Sequence, residues 1–444
     1  MFGTSGVRGP VGEKVTAALA LAVGRAVGTE LRARDDPRRV VVGRDTRESG
    51  ELLVDALAAG LRETGADVHD AGVASTPTVA RAVRWESAGA GAVVTASHNP
   101  APDNGIKLWQ PSGQAFDADR RAAVEQRVEA NDYALESWDG LGERTDASVA
   151  DNHVTRLVDR TPDVGDLSVV VDIGNGAGTV TATALTELGC EVETLNAQPD
   201  GSFPGRPSEP TADNCASLSA LVGNSPADIG VAHDGDADRL RAVAADGTFL
   251  SGDAMLALFA AEAAEQATVD EPRVAVPVDT SLAVEDYLAE RGVTVERTRV
   301  GDVHVAAAAT DPAVVFGGEP SGTWIWPDET LCPDGAYAAC QLVALAAEQP
   351  LTERVAAVPA YPIRRDSVAV EDKSAVITRI RERVAETYDE TDVSTLDGVR
   401  VETEDGWFLV RASGTQPLAR ITAEARSERR AEELFDTARQ LVRE

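Results

Sequence analysis

Lysine is nearly missing from this chain of 444 residues. Among 41 basic residues only Lys14, Lys107 and Lys373 are lysines, and the rest are arginine. Acidic residues number 74, giving a formal net charge of −33 spread along the chain rather than gathered in a tail. That charge disfavours nucleic acid as a partner, because phosphate backbones would be repelled. Diffuse carboxylates chiefly control solubility, and the pattern predicts adaptation to a very salty cytoplasm, where repulsion is screened. Cysteine is sparse too: Cys190, Cys215, Cys332 and Cys340 form no CxxC pair and adjoin no histidine cluster. A zinc ribbon and a disulfide framework are therefore not expected. There is no apolar run of bilayer-spanning length. Met1 leads directly into Phe2-Gly3-Thr4-Ser5-Gly6, without a charged-then-apolar leader. A soluble cytoplasmic protein with no membrane partner is expected.

The apolar fraction is 43%, ordinary for a globular chain, and the length calls for several domains. Strand-like and helix-like segments alternate. Val40–Val42 reads as a strand entering a polar loop at Gly43-Arg44-Asp45, followed by helical periodicity from Glu51 to Glu63. The same order returns at Leu167–Asp172 with a helix to Leu188, and at Val274–Val278 with a helix from Ser281 to Gly292. A strand then follows at Val293–Arg297. This is α/β architecture. The last segment differs: strands near Val399–Glu402, Trp407–Val410 and Arg420–Glu424, with a closing helix Arg429–Glu444, predict a small α+β domain. Domains are expected at 1–148, 149–250, 251–355 and 356–444.

Thr95-Ala96-Ser97-His98-Asn99-Pro100, followed by Asn104-Gly105-Ile106-Lys107, puts a hydroxyl, an imidazole and a rare lysine in one short loop. The preceding Gly89–Val94 reads as a buried strand, so Ser97 would lie where a strand ends and the chain turns. Most serines in turns merely cap a backbone group, and a Ser–His pair alone carries little. A second cluster, His233-Asp234-Gly235-Asp236-Ala237-Asp238-Arg239, follows a strand at Asp228–Ala232. Its three alternate carboxylates suit one hard cation such as Mg²⁺ with phosphate completing the shell. A solvated acidic turn is the alternative, while an EF-hand is excluded because no Glu closes a twelve-residue loop.

Arg411-Ala412-Ser413-Gly414-Thr415-Gln416-Pro417, with Arg420 beyond it, offers hydroxyls, a glycine and guanidiniums to a phosphate. Taken alone it is an ordinary glycine turn. Gly317-Gly318-Glu319-Pro320-Ser321-Gly322-Thr323-Trp324 offers a carboxylate and hydroxyls suited to sugar hydroxyls, or again a turn. Phe2–Gly9 is glycine-rich and could cradle an anion. Gly174-Asn175-Gly176-Ala177-Gly178 has the wrong spacing for a dinucleotide fingerprint, which excludes a nicotinamide cofactor.

In this order FGTSGVRG, TASHNP…NGIK, DGDADR, GGEPSG and RASGTQP resemble the motifs of the α-D-phosphohexomutase family over essentially the whole chain. VDIGNGAG, DGSFPGRPSEP and VGD are weaker matches. The resemblance implies four domains around a central cleft, three of similar α/β topology and a smaller last one. It implies a phosphosugar substrate, Mg²⁺, a hexose 1,6-bisphosphate intermediate and activator, and phosphoryl transfer through Ser97 as phosphoserine. By the same resemblance Asp234, Asp236 and Asp238, with the Ser97 phosphate, would hold the metal. Arg8, His98, Lys107 and Arg239 would surround the transferring group. Glu319, Ser321 and Thr323 would meet the sugar, and Arg411, Ser413, Gly414, Thr415 and Arg420 the non-reacting phosphate. Pro320, Thr323, Gln416 and Val303 depart from the family pattern. GGEPSGTW with FPGRPSEP looks most like archaeal members assigned as phosphoglucosamine mutases, so glucosamine phosphate is the expected sugar, with mannose and glucose phosphates as alternatives. A phosphatase or a sugar-phosphate sensor would need no second phosphate site or no phosphorylatable serine, respectively. Monomer and homodimer are equally compatible with these motifs.

Overall fold

The computed structural model describes Gly3, residues 6–413 and residues 418–443. It divides into two compact units, residues 1–252 with 321–355, and residues 253–320 with 356–444. Among the described residues no helix is long and apolar enough to cross a membrane, and all four cysteines are buried free thiols.

The first unit carries two sheets. In the larger, the strands run Val7–Pro10, Asp103–Trp109, Ala90–Val94, Arg39–Arg44, Asp67–Val73 and Arg144–Asp146 in spatial order. Arg39–Arg44 pairs parallel with both neighbours, as the strand–loop–helix order predicts. Ala90–Val94 is apolar and small throughout, and every residue of it is buried, as expected of a central strand covered on both faces. Helices Ala17–Ala33 and Gly50–Glu63 cross closely through glycine. A Cβ on Gly60 would stand 2.2 Å from the Leu21 carbonyl oxygen, and one on Gly24 equally close to that of Leu57.

One expectation is corrected here. Asn104–Lys107 is not loop but part of the strand Asp103–Trp109, antiparallel to Ala90–Val94 with Lys107 opposite Val93. Asn and Gly suggested a turn, yet Ile106, Leu108 and Trp109 complete the sheet core, so tertiary pairing overrides local propensity. The effect is to return Lys107 to the level of Ser97.

The second sheet runs Arg241–Ala244, Ile229–Ala232, Ser168–Asp172, Glu191–Leu195, three parallel strands with one antiparallel edge. Its central strand Ile229–Ala232 leads into the acidic loop.

In the second unit Thr294–Thr298, Arg273–Pro277 and Val314–Glu319 pair in parallel. Five antiparallel strands follow in the order Ile363–Ala369, Leu418–Ala425, Gly406–Ala412, Val399–Thr403, Val393–Ser394. The helix Glu428–Arg443 sets Ala431, Leu434, Phe435, Ala438 and Val442 on one stripe and, with Lys373–Thr387, covers one face of that sheet. The predicted α+β ending is present. The strand Ile363–Ala369 and the helix Lys373–Thr387 are additional to the elements read from sequence.

Candidate active site

Ser97 lies just beyond the strand Ala90–Val94 at φ +53°, a left-handed conformation uncommon for a residue with a side chain. It is buried, and its Oγ donates to Asp234 Oδ2 at 2.6 Å. His98 Nδ1 stands 3.4 Å from the same Oγ. Asp234, Asp236 and Asp238 are buried and offer oxygens within 4.8 Å of one another. The two loops approach at Gly235, where a Cβ would lie 2.8 Å from the Ser97 carbonyl oxygen. Only glycine fits that approach without displacing backbone.

Lys107 Nζ donates to Asp236 Oδ2 at 2.7 Å and to Asp238 Oδ2 at 2.5 Å. Burial alone would lower the lysine, but Asp236 and Asp238 outweigh it and keep the ammonium charged. Burial would likewise raise Asp236, yet Lys107 and the Thr76 hydroxyl hold it below the ordinary carboxylate range. Asp234 and Asp238 are pushed up by burial and by the neighbouring carboxylates. Three buried carboxylates thus share one site with the Lys107 ammonium, and Arg239 and Arg8 also act on them. Asp236 Oδ2 accepts from Lys107 and from Thr76 Oγ1 at 2.6 Å, while its Oδ1 is buried without a hydrogen-bond partner among the described residues. An orphaned carboxylate oxygen among three converging carboxylates fits a divalent cation with oxygen ligands.

Arg8 sits on the edge strand opposite Gly105, and its buried Nε has no hydrogen-bond partner among the described residues. Burial, then Arg239, Arg8 and Lys107, lower the His98 imidazole to about 3, so it is neutral near pH 7. The Arg239 backbone N–H donates to Asp234 Oδ1 at 3.3 Å, and its carbonyl accepts from His233 Nδ1 at 2.8 Å. Because a carbonyl only accepts, His233 carries its proton on Nδ1, and Nε2 accepts from the Thr181 hydroxyl at 2.8 Å. His233, which burial lowers to about 4, therefore scaffolds the acidic loop. Thr323 is buried and its backbone bridges to Arg239. The exposed Ser321 has its Oγ 3.4 Å from Thr323 Oγ1. Ser97, His98, Lys107, Arg8, the three aspartates and Arg239 are thus brought together.

The remaining candidates belong to the second unit. Glu319 is buried and accepts from the Gly301 N–H at 2.7 Å, linking the sugar-loop motif to VGD. Arg411 and Arg420 are cross-strand neighbours, with Ser367 beside Arg420. Together with Arg365, Thr422 and Asp279 they line a cavity of about 340 Å³. It occupies the sheet face opposite the helices. Arg411 also pairs with Asp397 at 3.3 Å, and the Ser413 carbonyl accepts from Lys373 Nζ at 2.6 Å. Gly414 and Thr415 lie outside the described residues.

Sequence reading missed Thr76, Arg47, Asp45, Ser208 and Arg365. Thr76 heads the helix Thr76–Trp85 and reaches a carboxylate 160 positions away, a pairing no local spacing encodes. Asp45 was visible only as a polar residue after a strand.

Comparison with known proteins agrees with this geometry. Four domain models described as phosphoglucomutase/phosphomannomutase match: alpha/beta/alpha domain I at residues 1–135, domain II at 151–247, domain III at 251–361 and the C-terminal domain at 367–441. The chain belongs to the phosphoglucomutase/phosphomannomutase family, with its four-domain α/β fold, and is an intramolecular phosphotransferase. It is 47% identical to a "Probable phosphoglucosamine mutase" of Methanopyrus kandleri, covering 100% of this chain and 97% of that protein. A protein of the same description from Methanothermobacter thermautotrophicus is 42% identical over 99% of this chain and 97% of its own length. A crystal structure of a phosphoglucomutase/phosphomannomutase family protein from Burkholderia thailandensis superposes with a TM-score of 0.89 at 30% identity, covering 100% of this chain and 98% of that one.

Proposed function

We propose that this chain interconverts glucosamine 6-phosphate and glucosamine 1-phosphate in the cytoplasm, through a Ser97 phosphoenzyme and a hexose 1,6-bisphosphate. The observation that carries the reading is the Ser97 hydroxyl hydrogen-bonded to Asp234 at the rim of the buried aspartate triad. The domains are taken as 1–148, 149–250, 251–355 and 356–444. Asp234, Asp236, Asp238 and a Ser97 phosphate oxygen would hold Mg²⁺. When bound, Mg²⁺ would supply positive charge to the phosphoryl oxygens.

The chain's own groups supply the rest. A sugar hydroxyl attacks the phosphorus, the bond from phosphorus to Ser97 Oγ breaks, and the hydroxyl proton leaves to a base. Lys107 stays protonated between two carboxylates and Arg8 is a permanent cation, so both act on phosphoryl charge. His98 is neutral at working pH with Nδ1 3.4 Å from Ser97 Oγ, and burial with the surrounding cations makes it a weak base, suited to hydrogen bonding more than to holding the proton. In the second half the bisphosphate offers its other phosphate: Ser97 Oγ attacks that phosphorus, the bond from phosphorus to the sugar oxygen breaks, that oxygen takes back the proton held by the base, and the enzyme is rephosphorylated. Arg411 and Arg420, joined by Arg365, would hold whichever phosphate is not reacting. Glu319, Ser321 and Thr323 are assigned to the sugar.

The test is a coupled mutase assay in high salt, to match the salt adaptation expected from the acidic composition, with Mg²⁺ and a trace of hexose 1,6-bisphosphate. Glucosamine, mannose and glucose phosphates are compared in parallel. Turnover of the glucosamine phosphate above the others, lost by about 10⁴-fold or more in Ser97→Ala, supports the reading. Preference for another hexose would transfer the assignment to that sugar. A wild type inactive on all three would overturn it.

A further inference from the structure

Ser97 is held by its backbone as well as by its side chain, and the residues that hold it come from distant parts of the chain. Arg47, in the turn after the strand Arg39–Arg44, has a fully buried side chain. Its Nε donates to Asp45 Oδ2 at 2.9 Å. Nη1 donates to the carbonyls of Pro100 at 2.7 Å and Asp103 at 2.9 Å, and Nη2 to those of Ser97 at 2.9 Å and Asn99 at 2.7 Å. All five guanidinium N–H groups are thereby engaged, four of them on one short loop. The ring of Phe203 packs 5.0 Å from the guanidinium carbon.

Asp45 Oδ2 also accepts from Thr95 Oγ1 at 2.6 Å, and Thr95 Oγ1 accepts the Ser97 N–H at 2.9 Å. The second lone pair of the Ser97 carbonyl takes the buried Ser208 hydroxyl at 2.8 Å, and Ser208 Oγ accepts the Gly235 N–H at 3.0 Å. One hydroxyl therefore ties the Ser97 loop to the aspartate loop, while Arg47 braces the same carbonyl from the other side. Both peptide groups of Ser97 are fixed, at a left-handed φ that a serine in a free turn would rarely hold.

We infer that Arg47 and Ser208 are positioning residues for phosphoryl transfer, clasping the Ser97 carbonyl so that its Oγ faces the aspartate triad at fixed register. The inference rests on Ser97 being the phosphorylated residue. Lysine at 47 would keep the charge but lose the fork that reaches four carbonyls. Alanine at 208 would leave the Gly235 N–H without its acceptor and the two loops without their shared hydroxyl. Alignment within a few tenths of an ångström decides transfer rate, whereas ground-state affinity depends on other groups.

The test compares wild type, Arg47→Lys, Ser208→Ala and Ser208→Thr after loading with glucose 1,6-bisphosphate and Mg²⁺. Folding is checked by circular dichroism, Ser97 phosphate by mass, and its environment by ³¹P resonance. Expected is a kcat loss of about 100-fold in Arg47→Lys and about tenfold in Ser208→Ala, with KM changed less than about twofold. The ³¹P signal should broaden or shift in both, and Ser208→Thr should recover kcat and signal. Should Arg47→Lys fail to fold, the Ser208 pair decides. Folded variants with wild-type kcat and wild-type ³¹P signal would overturn the inference. A wild type carrying no phosphate on Ser97 would overturn the proposed function, and the inference with it.

Discussion

Arginine is used in two opposite ways in this molecule. In the first unit Arg47 is buried with all its donors spent on backbone carbonyls and one carboxylate. On the five-stranded sheet of the second unit Arg365 and Arg420 are exposed, and with Arg411 they face a cavity. The first arrangement fixes geometry, because an arginine whose donors are all satisfied has nothing left for a ligand. The second leaves donors solvated, and under the proposed function a phosphate would replace that water in either orientation. A site that makes and breaks bonds needs rigidity, and a site that must accept either end of a bisphosphate needs open, forgiving charge.

Altering the aspartate triad should break this contrast most severely. Asp236→Asn removes the charge beside the orphaned oxygen, and kcat should fall about 10³-fold with a matching loss of Mg²⁺ affinity by calorimetry. At the recognition face Arg420→Ala should instead raise KM by roughly 10- to 100-fold with a smaller change in kcat. If kcat fell and KM held, the division of roles between the two regions would be wrong. Thr76→Val removes one of the two donors that orient Asp236 and should weaken Mg²⁺ binding about tenfold, measurable without turnover.

The smallest effect is on stability against pH. His98 and His233 are held neutral, at about 3 and about 4, while the unfolded chain titrates them near 6.5. Between those values the unfolded state binds more protons, so stability is present above about pH 6.5 and declines as pH falls toward 4. The decline is about 1 kcal/mol per pH unit for each histidine. Urea unfolding at pH 8 and pH 5 checks it, and a midpoint unchanged between them would refute the assignment of His233 as a buried neutral scaffold.

Much of the site was legible as short motifs, because Ser97-His98 and Asp234, Asp236, Asp238 each lie in one turn after a strand and the strands announce themselves by apolar runs. Lys107 stands out by the scarcity of lysine, but its strand does not, since Asn104 and Gly105 carry turn propensity and only the pairing with Ala90–Val94 reveals the strand. The closing α+β domain is legible from its strands near Trp407 and Arg420 and its last helix, whereas Ile363–Ala369 carries Arg364, Arg365, Asp366 and Ser367 in a row and shows no apolar alternation.

By itself the sequence determined the α/β class, the order of the motifs, the proposed nucleophile, the acidic loop and the acidic composition, since each is written in adjacent residues or in composition. Tertiary structure alone decided that Arg47 clasps the loop 50 residues on, that Ser208 joins that loop to Gly235, and that Thr76 orients Asp236. Those contacts depend on where the two sheets and the helix at Thr76 deliver the loops at their ends. Side-chain periodicity reports which face is buried, but it carries no information about which distant loop will meet it.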